Sequence, residues 1–569
     1  MKQVMVVALL FLAACVLRAQ EASHAQDITG DWQGVLSANV ADLHLVLHIS
    51  KGADGALTAT LDSVDQGANG IPVSSVTLKD SKLSLGIDVV HGTYEGTVSA
   101  DGQSIKGTWS QGTAMPLEFK RATADSKSET KSVKPSDIDG AWMGVLDTGS
   151  VKLHVVFHIF TTADGLRASM DSPDQGANGL PTSSITRDGD SLKIEAKVVS
   201  GVFQGKIATD LSSIDGTWTQ SMPLPLVLKR LTEKDKAAMV PKRPQVPVKP
   251  YPYREEDVTY ENKVQNVTLA ATLTIPQGKG PFPGVVLITG SGPQDRDETL
   301  LGHKPFLILS DYLTRHGIAV LRADDRGTAK STGVFSKATT ADFATDTEAG
   351  VAYLKTRPEI DPHKIGLIGH SEGGVIAPMV AARNKDVAYI VMMAGTGVPG
   401  GEVLAAQMEA IQLANGAKPE DAAKTAARQR EIDKIIETEK DEATLDKELK
   451  EKMADMPDTQ AGMAITELTS PWFRYFLAYD PATALRKVTC PVLVLNGSLD
   501  KQVLPSQNLP AIRKALEQAG NKHFEIDELP GLNHLFQTAK TGSPMEYAQI
   551  EETMSPVALD KMATWIAKQ

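Results

Sequence analysis

The chain has 569 residues, enough for several folded units at roughly 100–200 residues each. With 41% hydrophobic and 22% charged residues, it is neither a disordered nor a fibrous composition. Its 58 basic against 70 acidic side chains give a net charge of −12, which leaves no basic footing for nucleic acid, and two cysteines, Cys15 and Cys490, exclude a disulfide framework.

The N-terminus opens with Lys2 and an apolar run from Val4 to Leu17, shorter than the ~20 residues a membrane-spanning helix needs. A charged start, a short apolar centre and an Ala-rich polar end read as a signal peptide over residues 1–25, so export to the periplasm or medium is expected. Ser23-His24-Ala25 and Ala19 offer small-residue cleavage sites. Leu12-Ala13-Ala14-Cys15 resembles a bacterial lipobox, in which a lipidated Cys15 would tether the protein to a membrane.

Next comes an internal duplication. Asp31-Trp32-Gln33-Gly34-Val35-Leu36 returns as Ala141-Trp142-Met143-Gly144-Val145-Leu146. The hexapeptide Asp65-Gln66-Gly67-Ala68-Asn69-Gly70 returns intact at 174–179, and Gly107-Thr108-Trp109 returns at 216–218. The copies are expected over 27–122 and 137–232. In the first, eight short runs (32–37, 43–50, 57–63, 75–79, 83–89, 92–99, 105–110 and 116–120) are separated by turn chemistry such as Ala53-Asp54-Gly55. Short strands without a helix signal point to a small closed barrel or sandwich, since closure removes exposed edges.

Residues 233–254 carry prolines at 241, 244, 247, 250 and 252, which predicts an extended linker acting as a spacer. From 255 to 569 the pattern changes. Buried-type strands at 284–289, 318–322, 364–369, 389–394 and 492–496 alternate with helical segments, as in a parallel α/β sheet. Between about 401 and 475 the strands stop. Helical periodicity with dense mixed charge, over 418–439 and 443–453, predicts an inserted helical cap. Its charges read as solvated helix faces and its position as a wall or lid.

The strongest chemical signal is Ile368-Gly369-His370-Ser371-Glu372-Gly373-Gly374. It matches Gly-x-Ser-x-Gly between an apolar strand and a helical pattern, the context in which a serine is exposed on a sharp turn. Serine is a poor nucleophile without a base that is itself oriented by a carboxylate. The expected chain order is Ser, acid, His. Asp500 follows the strand 492–496, and His534 follows the strand near 524–526. Asp527 and Glu528 compete with Asp500 but follow the wrong strand, and His523 precedes the strand that His534 follows. A tetrahedral intermediate needs two backbone donors. The amide of Glu372 is expected to be one. The other is expected on the loop after the strand 284–289, Gly290-Ser291-Gly292-Pro293-Gln294-Asp295-Arg296-Asp297, where comparison with relatives that carry His-Gly at 289–290 points to Ser291, with Gly292 in reserve.

On these motifs, residues from about 257 to 569 resemble α/β-hydrolase-fold serine esterases, in particular bacterial hydrolases that pair Gly-Ser-Gly-Pro-x-Asp-Arg-Asp with Gly-His-Ser-Glu-Gly-Gly. Ala323-Asp324-Asp325-Arg326-Gly327 resembles a loop of the same group. The segments carrying Asp-Gln-Gly-Ala-Asn-Gly resemble the β domain that precedes such hydrolases in secreted bacterial proteins. The resemblance implies hydrolysis of small-molecule carboxylic esters, short acyl chains among them, without a cofactor. Prolyl-peptidase-like enzymes share the fold, so a peptidase or amidase stays open. Pro378 lies inside the helix after Ser371, where it would remove a hydrogen bond, although Ile-Ala-Pro also occurs in the group.

Other signals carry less. His44 and His48, like His154 and His158, stand four apart in a strand, about 13 Å, too far to share one zinc. Trp32, Trp109, Trp142 and Trp218 read first as core, with sugar stacking as the rival. A glycan-binding role for the β pair is therefore the reading from a different class. Cys490, before Pro491 and far from a base, reads as packing.

Overall fold

A computed structural model of the chain describes residues 27–569 apart from 39–40, 53–54, 65–67, 80, 88–91, 112, 123–133, 148–151, 163–164, 176, 221, 233, 236–241, 455 and 457. The stretch expected to be a signal peptide, with its candidate cleavage sites and the lipobox-like sequence at Cys15, lies outside the described residues.

The first sheet has nine antiparallel strands, from Gly30–Ala38 to Thr113–Arg121, in the spatial order 4-3-2-1-9-8-7-6-5. Its two edge strands, Ala68–Pro72 and Ser75–Lys79, are separated in sequence by only Val73 and Ser74. The sheet therefore curls far enough for a two-residue link to span from one edge to the other, the barrel-like outcome expected from the alternating runs. Ala68–Pro72 is the strand the sequence does not announce, because it is cut from the Gly- and Asn-rich repeat that reads as a turn.

Alternation fills the interior. Trp32, Leu47, Leu83, Tyr94 and Phe119 are buried, with the Tyr94 and Phe119 rings edge-to-face at 5.2 Å. Each buried polar tip finds an acceptor, Trp32 Nε1 on Ile28 O at 2.9 Å and Tyr94 Oη on Ile105 O at 2.9 Å. The second nine-stranded sheet, from Gly140–Asp147 to Pro223–Arg230, repeats the same strand order. Trp109, Trp142 and Trp218 are buried like Trp32, so none offers a stacking platform. His48 lies between Asp31 and Asp62, at 2.9 and 3.1 Å.

The third sheet comprises β1 (Arg254–Asn262), β2 (Val267–Ile275), β3 (Phe282–Ile288), β4 (Ala319–Ala323), β5 (Ile360–His370), β6 (Val387–Met393), β7 (Val492–Gly497) and β8 (Phe524–Leu529). Their order is 1-2-4-3-5-6-7-8. β3 to β8 run parallel. β1 and β2 add an antiparallel edge to the parallel strands read from sequence. The central strands are buried on both faces, with successive residues feeding opposite layers. Val286 and Ile288 join one core with Val351, Ile376 and Ile512. Val285 and Leu287 join the other with Phe306, Leu313 and Leu559.

The helices follow from α1 (Pro305–Arg315), α2 (Thr340–Lys355) and α3 (Gly373–Ala381). Between β6 and β7 come α4 (Gly400–Ala414), α5 (Pro419–Thr438), α6 (Glu442–Lys452), α7 (Asp458–Leu468) and α8 (Pro471–Ala478). These have a small core of their own, including Ile432, Leu449, Phe473 and Leu477.

The Pro-rich segment departs from the spacer reading. Residues 242–253 hold no helix or strand, yet they are fastened down. Arg243 donates to the carbonyls of Leu301, Ala548 and Ile550 at 2.9–3.0 Å. Gln245 donates to Met554 O at 2.7 Å and accepts the amides of Thr553 and Met554. Proline frequency reports the extended backbone but not what intervening polar side chains grip.

Candidate active site

Ser371 sits where β5 turns into α3, with φ +53°. A side-chain-bearing residue there is strained, and the surroundings hold it: its amide donates to Met393 O at 2.8 Å and its carbonyl accepts Gly374 N at 2.9 Å. The flanking glycines answer close approaches. A Cβ on Gly369 would strike the Gly373 carbonyl, and one on Gly373 would strike the Ile288 carbonyl. Only glycine lets strand, turn and helix pack this tightly. Pro378 is accommodated inside α3, which continues to Ala381.

Asp500 and His534 come from the loops after β7 and β8. His534 Nδ1 lies 2.8 Å from Asp500 Oδ2, and both residues are at most 5% exposed. The other carboxylate oxygen of Asp500 accepts the amides of Gln502 and Val503 at 2.8 and 2.9 Å, so the acid is fixed before it meets the ring. Asn533 fixes the loop that carries His534, its Oδ1 accepting the amides of Leu535 and Gln537. Ser371 and His534 line one cavity of about 320 Å³. The competing residues lie elsewhere: Asp527 forms an ion pair with Lys561 at 2.5 Å, and His523 stands at the start of β8, its carbonyl accepting Val492 N.

Among the described residues, the amides of Glu372 and Ser291 donate to no protein acceptor. Both residues line the cavity, whereas Gly292 does not. The amide of Gly290 is already committed to Glu298 Oε1 at 2.8 Å. Two unspent donors at the head of α3 and in the loop after β3 are what a developing oxyanion requires.

Around them stand groups that motif reading passed over. Asp325 accepts Thr289 Oγ1 at 2.7 Å and Gln294 N at 2.9 Å, clamping both ends of the Ser291 loop. Burial pushes its carboxyl well above the usual carboxylate range. The charged residues of the Gly-Ser-Gly-Pro motif are structural. Arg296 grips Asp324 through Nε and Nη2, and Asp297 accepts Arg322 Nε at 3.0 Å. The Glu372 carboxylate accepts Thr340 Oγ1 at 2.7 Å and Trp472 Nε1 at 2.8 Å. Burial raises its pKa, partly offset by those two donors and by Ser291. Because Trp472 belongs to α8, this bond ties the turn that carries Ser371 to the inserted helices.

The inserted helices supply the apolar wall, with Val403 and Leu404 from α4 and Trp472, Phe473 and Phe476 from α8. Elsewhere, burial pushes the Cys490 thiol up to about 11, which suits packing rather than nucleophilic chemistry. Among the described residues no group of three or more potential ligands is arranged to hold a metal ion, and no helix is long and apolar enough to cross a membrane.

Parts of the chain are similar to known proteins. The model of the X-Pro dipeptidyl-peptidase (S15) family matches residues 265–528. Esterase EstD of Thermotoga maritima is 28% identical over 322 residues, covering 56% of this chain and 69% of that protein. Mouse mitochondrial acyl-coenzyme A thioesterase 2 is 27% identical over 150 residues, only 26% of this chain and 30% of its own length. Among solved structures, the Pyrococcus furiosus esterase Pf2001 aligns over 57% of this chain and 96% of its own, at 16% identity and a TM-score of 0.36.

Proposed function

We propose that the C-terminal part of this chain is an α/β-hydrolase of the serine-esterase type, a reading supported by its similarity to the S15 family and to Esterase EstD, and that it cleaves small carboxylic esters through an acyl-enzyme on Ser371. The observation that carries the reading is the buried Asp500–His534 bond at 2.8 Å, with His534 opening on the cavity that Ser371 also lines. His534 takes the Ser371 proton as Oγ attacks the ester carbonyl, while Asp500 keeps the ring oriented and stabilises the imidazolium. The amides of Glu372 and Ser291 receive the oxyanion. Collapse breaks the carbon–oxygen bond to the alcohol, which leaves with the proton from His534. Water, deprotonated by His534, then attacks the acyl-enzyme and frees the acid and the serine. This chemistry requires no cofactor.

Short-chain p-nitrophenyl esters test it. The wild type should turn them over, and Ser371→Ala should lower kcat by a factor on the order of 10⁴ or more; unchanged turnover in that variant would refute the assignment. The S15 match gives a second reading, cleavage of aminoacyl amides by the same residues. Faster turnover of an aminoacyl amide than of the matched ester would select it. Export is part of the proposal, supported by residues 1–25. Mass spectrometry of the mature N-terminus distinguishes ordinary cleavage from lipidation of Cys15. Glycan contact by the β pair is left without its tryptophans, and pull-down on insoluble glycans tests any other surface.

A further inference from the structure

Behind Ser371 lies a buried pair that the reaction above does not use. Glu298 and His370 are each 5% exposed. Glu298 Oε1 accepts the Gly290 amide at 2.8 Å, and it stands 2.9 Å from His370 Nδ1. The second ring nitrogen, Nε2, stands 3.0 Å from the carbonyl oxygen of His534. The carboxylate thus grips the residue before Ser291, while the imidazole grips the backbone of the base.

The proton count follows from the partners. A carbonyl oxygen only accepts, so Nε2 carries a hydrogen. On the other side Nδ1 faces a carboxylate oxygen, and a ring that donates from both nitrogens is an imidazolium. An ionised bond is shorter and stronger than a neutral one, and a buried charge persists only when it is paired.

Taking the acyl-transfer reading as given, we infer that Glu298 and His370 are positioning residues, a buried carboxylate–imidazolium strap that sets the spacing between the Ser291 loop and the His534 ring. The groups facing His370 are the Glu298 carboxylate, the Asp500 charge, the His534 ring at 4.9 Å and the Phe536 ring at 6.4 Å. Burial works against the proton. The Glu298 carboxylate, the His534 carbonyl and Asp500 outweigh it, so the His370 pKa is raised above 6.5. Losing that proton at alkaline pH removes a donor from one of the two bonds and loosens one loop. A misplacement of about 1 Å at such a site can cost a hundredfold in rate.

Two measurements on the full chain test this. In Glu298→Gln, kcat should fall about ten- to a hundredfold with KM nearly unchanged, and the alkaline fall in kcat/KM should move to lower pH. Independently, nitrogen-15 spectra of histidine-labelled protein should show both His370 nitrogens protonated at pH 7.5, the signal being assigned by its loss in His370→Phe. A ring with one bare nitrogen, or a Glu298→Gln profile superimposable on wild type, would overturn the inference. An inert wild type whose Ser371 ignores a fluorophosphonate would instead overturn the esterase reading, while the spectra still report on the strap.

Discussion

At the scale of single residues, the site depends on atoms that are missing as much as on those present. Gly369 has no room for a methyl group because the Gly373 carbonyl occupies that space. Gly369→Ala should therefore displace the turn that holds Ser371 at positive φ. Activity should drop below detection, with a melting temperature lowered by several degrees, as overpacking costs about 1–3 kcal/mol. The His370 proton has a stability consequence with a defined sign. Its folded pKa is raised above the ordinary 6.5, so the contribution is complete below pH 6.5 and is lost as pH rises through the folded value. Urea midpoints measured from pH 6 to pH 10 should fall on the alkaline side in wild type, and the fall should be smaller in His370→Phe.

At the scale of elements, two attachments decide how the cavity is walled. Trp472 on α8 reaches the Glu372 carboxylate at 2.8 Å. Trp472→Phe keeps the ring stack on Phe476, which is 5.5 Å away, but removes the donor. A hydrogen bond to a charged group is worth about 1.5–3 kcal/mol. The expected result is a raised KM for bulky esters and faster amide exchange in α8, with smaller changes for acetate esters. Arg243 joins the carbonyls of Leu301 and of the 548–550 segment, and Leu300, His303 and Thr553 on those segments line the cavity. Arg243→Ala should lower both thermal stability and kcat, although residue 243 is remote from Ser371 in sequence and touches no reacting atom.

At the scale of the whole molecule, the hydrogen bonds that build the site come from residues 243 onward. A chain beginning near residue 234 should therefore keep esterase turnover within a fewfold of the full chain. One beginning at residue 254 should be less stable and less active, because it lacks Arg243 and Gln245. Equal behaviour of the two would show that the anchored segment around Arg243 is dispensable.

Local chemistry carried much of this. Period-two alternation wrote the strands of the two β sheets, and unbroken apolar runs wrote the strands of the α/β sheet, because each burial pattern leaves its own spacing. The helices over 419–438 and 442–452 were legible for the same reason. Gly-x-Ser-x-Gly between a strand and a helix singled out Ser371, and chain order singled out Asp500 and His534, since strand ends in a parallel sheet collect on one edge. Tertiary structure alone decided what no local pattern encodes. It gave each β sheet an edge strand hidden in a turn-like repeat, and it added β1 and β2 as an antiparallel edge. It also made a clasp of the Pro-rich segment and set Glu298 against His370 across 72 residues of chain. Such contacts are chosen by which buried polar group lacks a partner once the elements have packed, and that need arises only in three dimensions.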